Sequence, residues 1–356
     1  MTPRPTVAYP RDLDQEDQHF HSGINDKGEV CGIMGSGRHV GITASCMRPG
    51  MLRELAIGRH GLTRLFVDSG AFSEVTFGPY RVVKAITDEE WQRRFRLYRW
   101  SAATFRGRAY LVAPDRVGDQ DVTLDRLVRY ARDMACCAAL GANIIVPVQK
   151  GDRAMAWMFQ RACAYLVGVP REQIIAGIPM QKDATSIDEL RAFCEYLPWF
   201  GARIHLLGIG PRAKLGRFWR AVEAIKAVRP NAQITSDSAL VPSLVGRTNG
   251  PSGGPRILTA LQDEARTLGL KGHETKRYGL MRQGFAEIDA DRIRAEDAGW
   301  FDEELYDSVE EARAHRLAVE AERNGNANVG KLALTNLQVA GQLAFDLKFL
   351  HPHATT

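Results

Sequence analysis

NIIVPVQKGDRAMAWMFQRACAYLVGVPREQIIAGIP, residues 143–179, decides the fold. It opens with an apolar, β-branched run, NIIVPVQ (143–149). A helical pattern follows, RAMAWMFQRACAYLV (153–167), and then a second apolar run, IIAGIP (174–179). Runs that are apolar without alternation are what a strand buried on both faces requires. Strand, helix and strand in that order make a βαβ unit, and hence a parallel sheet.

The alternation extends outward in both directions. Upstream lie HVGITASC (39–46), LFVDS (65–69) and AYLVAP (109–114); downstream lie RIHLLGI (203–209) and AQITSD (232–237). Helical patterns separate them, among them DEEWQRRFRLYRWSA (88–102), TLDRLVRYARDMACCAAL (123–140), SIDELRAFCEYLPWF (186–200) and AKLGRFWRAVEAIKAV (213–228). Seven such units predict an α/β fold of the (β/α)8 TIM-barrel type, although spacing alone also allows a doubly wound sheet. Residues 1–35 are polar and Pro-rich and read as an N-terminal arm, which leaves 36–350 for a single barrel. After Asp237 the pattern breaks. VPSLVGRTNGPSGGPR (241–256) reads as a loop, KGHETKRYGLMRQ (271–283) is basic, and 295–323 is charged and helical. Together they form a basic, helical insertion over about 241–330. KLALTNLQVAGQLAFDLKFL (331–350) is apolar again and is expected to supply the eighth strand and a closing C-terminal helix.

The 356 residues are 45% hydrophobic and 25% charged, which excludes disordered, collagen-like and coiled-coil classes. The net charge of +5 permits a polyanionic partner without requiring one. No run approaches a membrane span, and the N-terminus has no secretory apolar core, so no membrane partner is expected. The six cysteines form no CxxC pair, and free thiols in a reducing cytoplasm are expected. His19, His21, His351 and His353 have no carboxylate or cysteine at ligand spacing, so no metal is expected. GSGRHVG (35–41) and GIGPRAKLG (208–216) are glycine-rich but fit neither phosphate-loop pattern. The second opens a helix after a strand, so a phosphate-binding metabolic barrel stays open as an alternative.

In a parallel barrel the catalytic groups come from the C-terminal ends of strands. The polar residues there are Asp68-Ser69-Gly70, Asp115, Gln149, Gly177, Gly208 and Asp237. Each Asp alone is adequately explained as a helix N-cap. Three of them, with Gln149 between, favour a site, because burying three carboxylates for structure alone is costly.

The same segments resemble those of the tRNA-guanine transglycosylases. FVDSGAF (66–72) is similar to that family's DSGGF segment, and VAPDRVGDQDVTLDRLVRYARD (112–133) to the segment whose Asp grips the guanine-like base. VPVQKG (146–151) resembles VQGG, IAGIPMQKDATSIDELRAF (175–193) resembles GGLAVGE and its helix, and HLLGIG (205–210) resembles YLMGVG. They occur in the family's order over roughly residues 60–240. The departures are informative. Ala71 and Ser73 replace family residues, Asp237 lacks the usual flanking sequence, and no cysteine beyond Cys194 can build the family's C-terminal zinc site. A missing zinc subdomain points to the branch that inserts 7-deazaguanines into DNA, found mostly in phages and bacterial modification clusters.

The resemblance implies exchange of guanine in DNA for a 7-deazaguanine such as the 7-cyano form. It implies Asp237 as nucleophile and Asp68 as general acid/base in a retaining double displacement. Asp115 would take guanine's N1–H and 2-amino group. Ser69, Gly70, Gln149, Gly177, Leu207 and Gly208 would complete the base pocket, with Phe72 or Met180 stacking on the base. Arg247, Arg256, Lys271, Lys276 and Arg277 are candidates for the phosphates. The expected partners are DNA, guanine and the 7-deazaguanine, with no cofactor and with a homodimer as a further expectation. tRNA is the alternative substrate, and a non-catalytic nucleic-acid-binding subunit the alternative role.

Overall fold

The computed structural model describes residues 18–58, 63–75, 84–181, 184–197, 203–211, 217–239, 241–250 and 252–295. Eight parallel strands close a barrel in sequential order. They are β1 (His19–Ser22), β2 (His39–Thr43), β3 (Leu65–Asp68), β4 (Ala109–Val112), β5 (Asn143–Pro147), β6 (Ile174–Pro179), β7 (Arg203–Leu207) and β8 (Gln233–Ala239). The predicted (β/α)8 barrel is therefore the fold.

Two expectations are corrected. The assignment of 1–35 to an arm fails at His19–Ser22, which is a strand of the barrel wall, and at Lys27–Gly35, which is helix α1. The barrel closes through β1, where Phe20 pairs with Asp237 of β8 and with His39 of β2. No strand from 331–350 is needed for closure, and that segment lies outside the described residues. The physical reason is Phe20: it is 0% exposed and joins Phe66, Tyr110, Val112, Ile145 and Ile175 in the barrel interior. One buried aromatic ring anchors a strand that otherwise reads as polar.

The chain divides into two compact units. The first holds the described residues up to Gly23, His39–Met47 and the described part of Arg64–Ala239. It contains the barrel and helices α3 (Asp88–Phe105), α4 (Gln120–Arg129), α5 (Ala131–Ala139), α6 (Met155–Tyr165), α7 (Ile187–Tyr196) and α8 (Arg217–Val228). Three of these helices, α3, α4 and α7, are capped locally at their starts. Thr87, Asp119 and Ser186 accept backbone N–H bonds, and Ser186 forms a reciprocal capping box with Glu189. The second unit gathers α1, α2 (Pro49–Gly58), α9 (Val241–Arg247), α10 (Thr259–Thr267) and α11 (His273–Ala295). A single domain over 36–350 is thus replaced by two units. The stretch read as a loop at 241–256 begins with a helix, and the basic stretch at 271–283 lies largely in α11. Among the described residues no helix is long and apolar enough to cross a membrane.

Candidate active site

Period-two alternation sorts the barrel strands into layers. On β8, Thr235 faces the barrel interior and Asp237 stands one layer higher; on β7, His205 and Leu207 do the same. The upper layer opens into a cavity of about 640 Å³ at the C-terminal strand ends. That volume is typical of a small-molecule site, roughly 300–1,000 Å³. Asp68, Asp115, Asp237, Ser69, Phe72 and Gln149 all line it. The three aspartates are not helix caps: Asp119, four residues beyond Asp115, caps α4.

Asp237 is 8% exposed and is held by three donors. Its Oδ1 accepts from the Gly208 N–H at 2.9 Å and from His205 Nε2 at 3.2 Å. Its Oδ2 accepts from the Ser22 hydroxyl at 2.8 Å. Burial alone would raise its pKa. The hydrogen bond and charge of His205, with the Gly208 N–H and Ser22, reverse that and hold it below the ordinary carboxylate value. His205 is itself fixed, with Nδ1 2.8 Å from Thr235 Oγ1 and its ring stacked on Phe66 at 4.9 Å. Ser236 and Ser238, which flank Asp237 in the chain, bond His19, at 2.8 and 3.0 Å.

Asp68 has the opposite environment. Burial, and then the negative charge of Asp237, push its pKa up to about 6. The Gly70 N–H, 3.0 Å from Oδ2, and Arg94 only partly offset this. Gly70 and Gly208 play matching parts. Both follow a strand tip in the left-handed region, at φ 77° and 73°, and both turn an N–H toward a carboxylate. A side chain there would be strained. Gly208 thus lines the cavity as expected, and its N–H holds Asp237.

Asp115 is 5% exposed, and burial, with the Asp68 charge adding, raises its pKa to about 7. Its oxygens accept from Ser69 Oγ at 2.7 Å and Gln149 Nε2 at 3.0 Å. Gln149 presents its NH2 because its Oε1 takes the Gly118 N–H at 2.9 Å. Gln120 Nε2 in turn ties down the Gln149 and Arg153 carbonyls at 2.9 and 2.8 Å. Behind this layer Glu74 is fully buried and takes both guanidinium nitrogens of Arg126, at 2.7 and 2.6 Å. Arg126 also bonds the Asp115 carbonyl, and Arg94 the Ser69 carbonyl.

Other predicted residues fall differently. Leu207 lines the cavity with its side chain, but its carbonyl accepts from the Met180 N–H at 3.0 Å. Gly177 is in the wall, with its carbonyl bonded to the Val148 N–H at 2.7 Å and Ile145 and Leu207 closing over it. Both carbonyls thus already accept one backbone hydrogen bond each. Met180 is 1% exposed and is core, whereas Phe72 lines the cavity together with Phe66. Arg247, Arg256, Lys271, Lys276 and Arg277 all belong to the second unit. Arg256, Lys271 and Lys276 are exposed, whereas Arg277 pairs with Glu29 at 3.3 Å.

Sequence reasoning missed Ser22, His205, Gln120, the Glu74–Arg126 pair and Thr43, which lines the cavity with its hydroxyl 3.5 Å from Asp68 Oδ2. His205 carried a usable signal, because it stands an even number of residues before the strand tip on the inward face.

Fold and site together define a (β/α)8 barrel with an acidic cavity at its C-terminal strand ends. No protein-family model and no curated protein matches the sequence. Among solved structures it is similar to a D-allulose 3-epimerase from Methylomonas sp., in complex with D-allulose, at 12% identity and TM-score 0.38, covering 63% of this chain and 84% of that one. It is also similar to a protein assigned as a fructose-1,6-biphosphate aldolase from Coccidioides immitis, at 10% identity and TM-score 0.45, covering 78% and 91%.

Proposed function

We propose that this protein is an enzyme, a guanine transglycosylase that exchanges guanine in DNA for a 7-deazaguanine. The observation that carries the reading is the divergence of two carboxylates facing one cavity: Asp237 is held ionised and Asp68 is pushed up to about 6. Environments that drive paired carboxylates apart assign the nucleophile and the acid. An Asp237 oxygen attacks C1′ as the bond from C1′ to the guanine nitrogen breaks, and Asp68 gives its proton to the departing base. Asp237 Oδ2, with one donor against two on Oδ1, is the oxygen with the freer lone pair. In the second half-reaction Asp68 takes a proton from the incoming base, whose nitrogen displaces Asp237. The Ser69–Asp115–Gln149 row supplies acceptors for guanine's donors, and the target base leaves the stack to reach them.

The segment resemblance to tRNA-guanine transglycosylases supports the reaction class, and the missing zinc motif supports DNA over tRNA. The test is incubation with radiolabelled guanine and either plasmid DNA or bulk tRNA. Label in DNA is expected. Label in tRNA alone reassigns the substrate, and label in neither removes the exchange reaction.

A further inference from the structure

A second cavity, of about 350 Å³, lies at the opposite, N-terminal ends of the barrel strands. Arg64, just before β3, Arg203, the first residue of β7, and Lys226 of α8 line it, with Gln18, Tyr110 and Thr235. No Asp or Glu lines it among the described residues. Among the described residues these cations donate to neutral oxygens. Arg64 bonds Gln18 Oε1. Arg203 bonds Asn143 Oδ1 at 2.8 Å and the Glu172 carbonyl at 2.6 Å, and Lys226 bonds the Pro230 carbonyl at 3.2 Å.

Elsewhere this chain pairs its arginines with carboxylates, as in Arg126–Glu74, Arg99–Asp133 and Arg38–Asp289. Here it does not. Burial pulls Arg203 below the ordinary guanidinium value and the Arg64 charge adds to that, with only the Tyr110 oxygen working against them. Three cations around one concavity repel one another, and a bound oxyanion removes that cost. Guanidinium forks and an ammonium together suit a phosphate group. The volume, near the lower end of the small-ligand range of about 300–1,000 Å³, fits one phosphate and a small body rather than a polymer strand. Barrel active sites sit at the other end, so this is separate from the catalytic cavity. The two ends are nonetheless joined. Thr235 lines this cavity and bonds His205, which bonds Asp237.

We propose that the cavity at the N-terminal end of the barrel binds a small phosphate-class anion through Arg64, Arg203 and Lys226. Calorimetric titration of the full chain with inorganic phosphate, at ionic strength held constant with sodium chloride, tests this. Saturable binding to one site is expected. Lys226→Gln, on an outer helix, should weaken it about tenfold, and Arg203→Gln by at least as much. Thermal unfolding followed by circular dichroism identifies any variant that has lost its fold. Lys150→Gln, at the catalytic cavity, should bind phosphate as the parent does. Absence of saturable binding overturns the proposal. So does phosphate binding that survives Lys226→Gln and Arg203→Gln in folded protein, or that is lost in Lys150→Gln.

Discussion

Asp237 and Asp68 are the same residue type placed in opposite surroundings, and the difference sets distinct outcomes for their variants. Asp237→Asn should abolish base exchange, at a loss of at least about 10³-fold, and trap no covalent adduct. Asp68→Asn should slow both half-reactions yet accumulate a DNA adduct that survives a denaturing gel. Peptide mapping should place that adduct on Asp237, and an adduct on Asp68 reverses the assignment. In the proposed reaction Asp68 gives its proton to the departing guanine, so single-turnover rates should fall as pH rises through about 6. Stability should also depend on pH. The folded pKa values of Asp68 and Asp115 are raised to about 6 and 7, so the native state binds more protons than the unfolded chain between the ordinary carboxylate range and those values. The contribution of these two groups to stability is therefore fully present below the ordinary carboxylate range and lost as pH rises through that window. Urea midpoints measured from pH 4 to 8 should show the slope, and Asp115→Asn should flatten its upper part. Asp68, Asp115 and Asp237 were legible because each ends an apolar run. Ser22 was not, since it sits in a polar stretch, and His205, inside a run, offered only its inward register as a signal. Only the closed barrel brings both to Asp237.

At the scale of elements, seven strands were legible because each is a continuous apolar run, buried on both faces. Several runs overshot their strands where the tips become loops, by one residue at Leu65–Asp68, two at Arg203–Leu207 and three at His39–Thr43. β1 escaped because HFHS offers four residues, two of them imidazoles and one a hydroxyl. Its apolar contribution is Phe20 alone. The packing behind the site offers a sharper test. Glu74 of the turn after β3 and Arg126 of α4 form a buried pair that also supports the Asp115 carbonyl. Glu74→Ala leaves a buried guanidinium without its carboxylate and should cost about 3–5 kcal/mol, read as a drop in the urea midpoint. Glu74→Leu with Arg126→Met should recover much of that stability while leaving Asp115 less well held. A double variant no more stable than Glu74→Ala counts against the pair as the cause.

For the whole molecule, closure is the defining property. A barrel has no sheet edge, but removing β1 exposes two, on β2 and β8. Deletion of residues 1–23 should therefore give aggregated or loosely packed protein, seen as loss of near-ultraviolet circular dichroism and early elution in size exclusion. A monodisperse, cooperatively folding truncate would show that the wall holds without β1. Closure also orders events in time. His19 and its partner Ser236 are 217 residues apart, so at about 5–20 residues per second the first strand leaves the ribosome roughly 10–40 s before its last neighbour exists. Throughout that interval the nascent sheet has open sides, and chaperones have a defined window in which to guard it. Ser22 reaches Asp237 only when the seam shuts. The carboxylate thus acquires its full set of donors only when the seam closes, and a chain with an open seam lacks part of the candidate site.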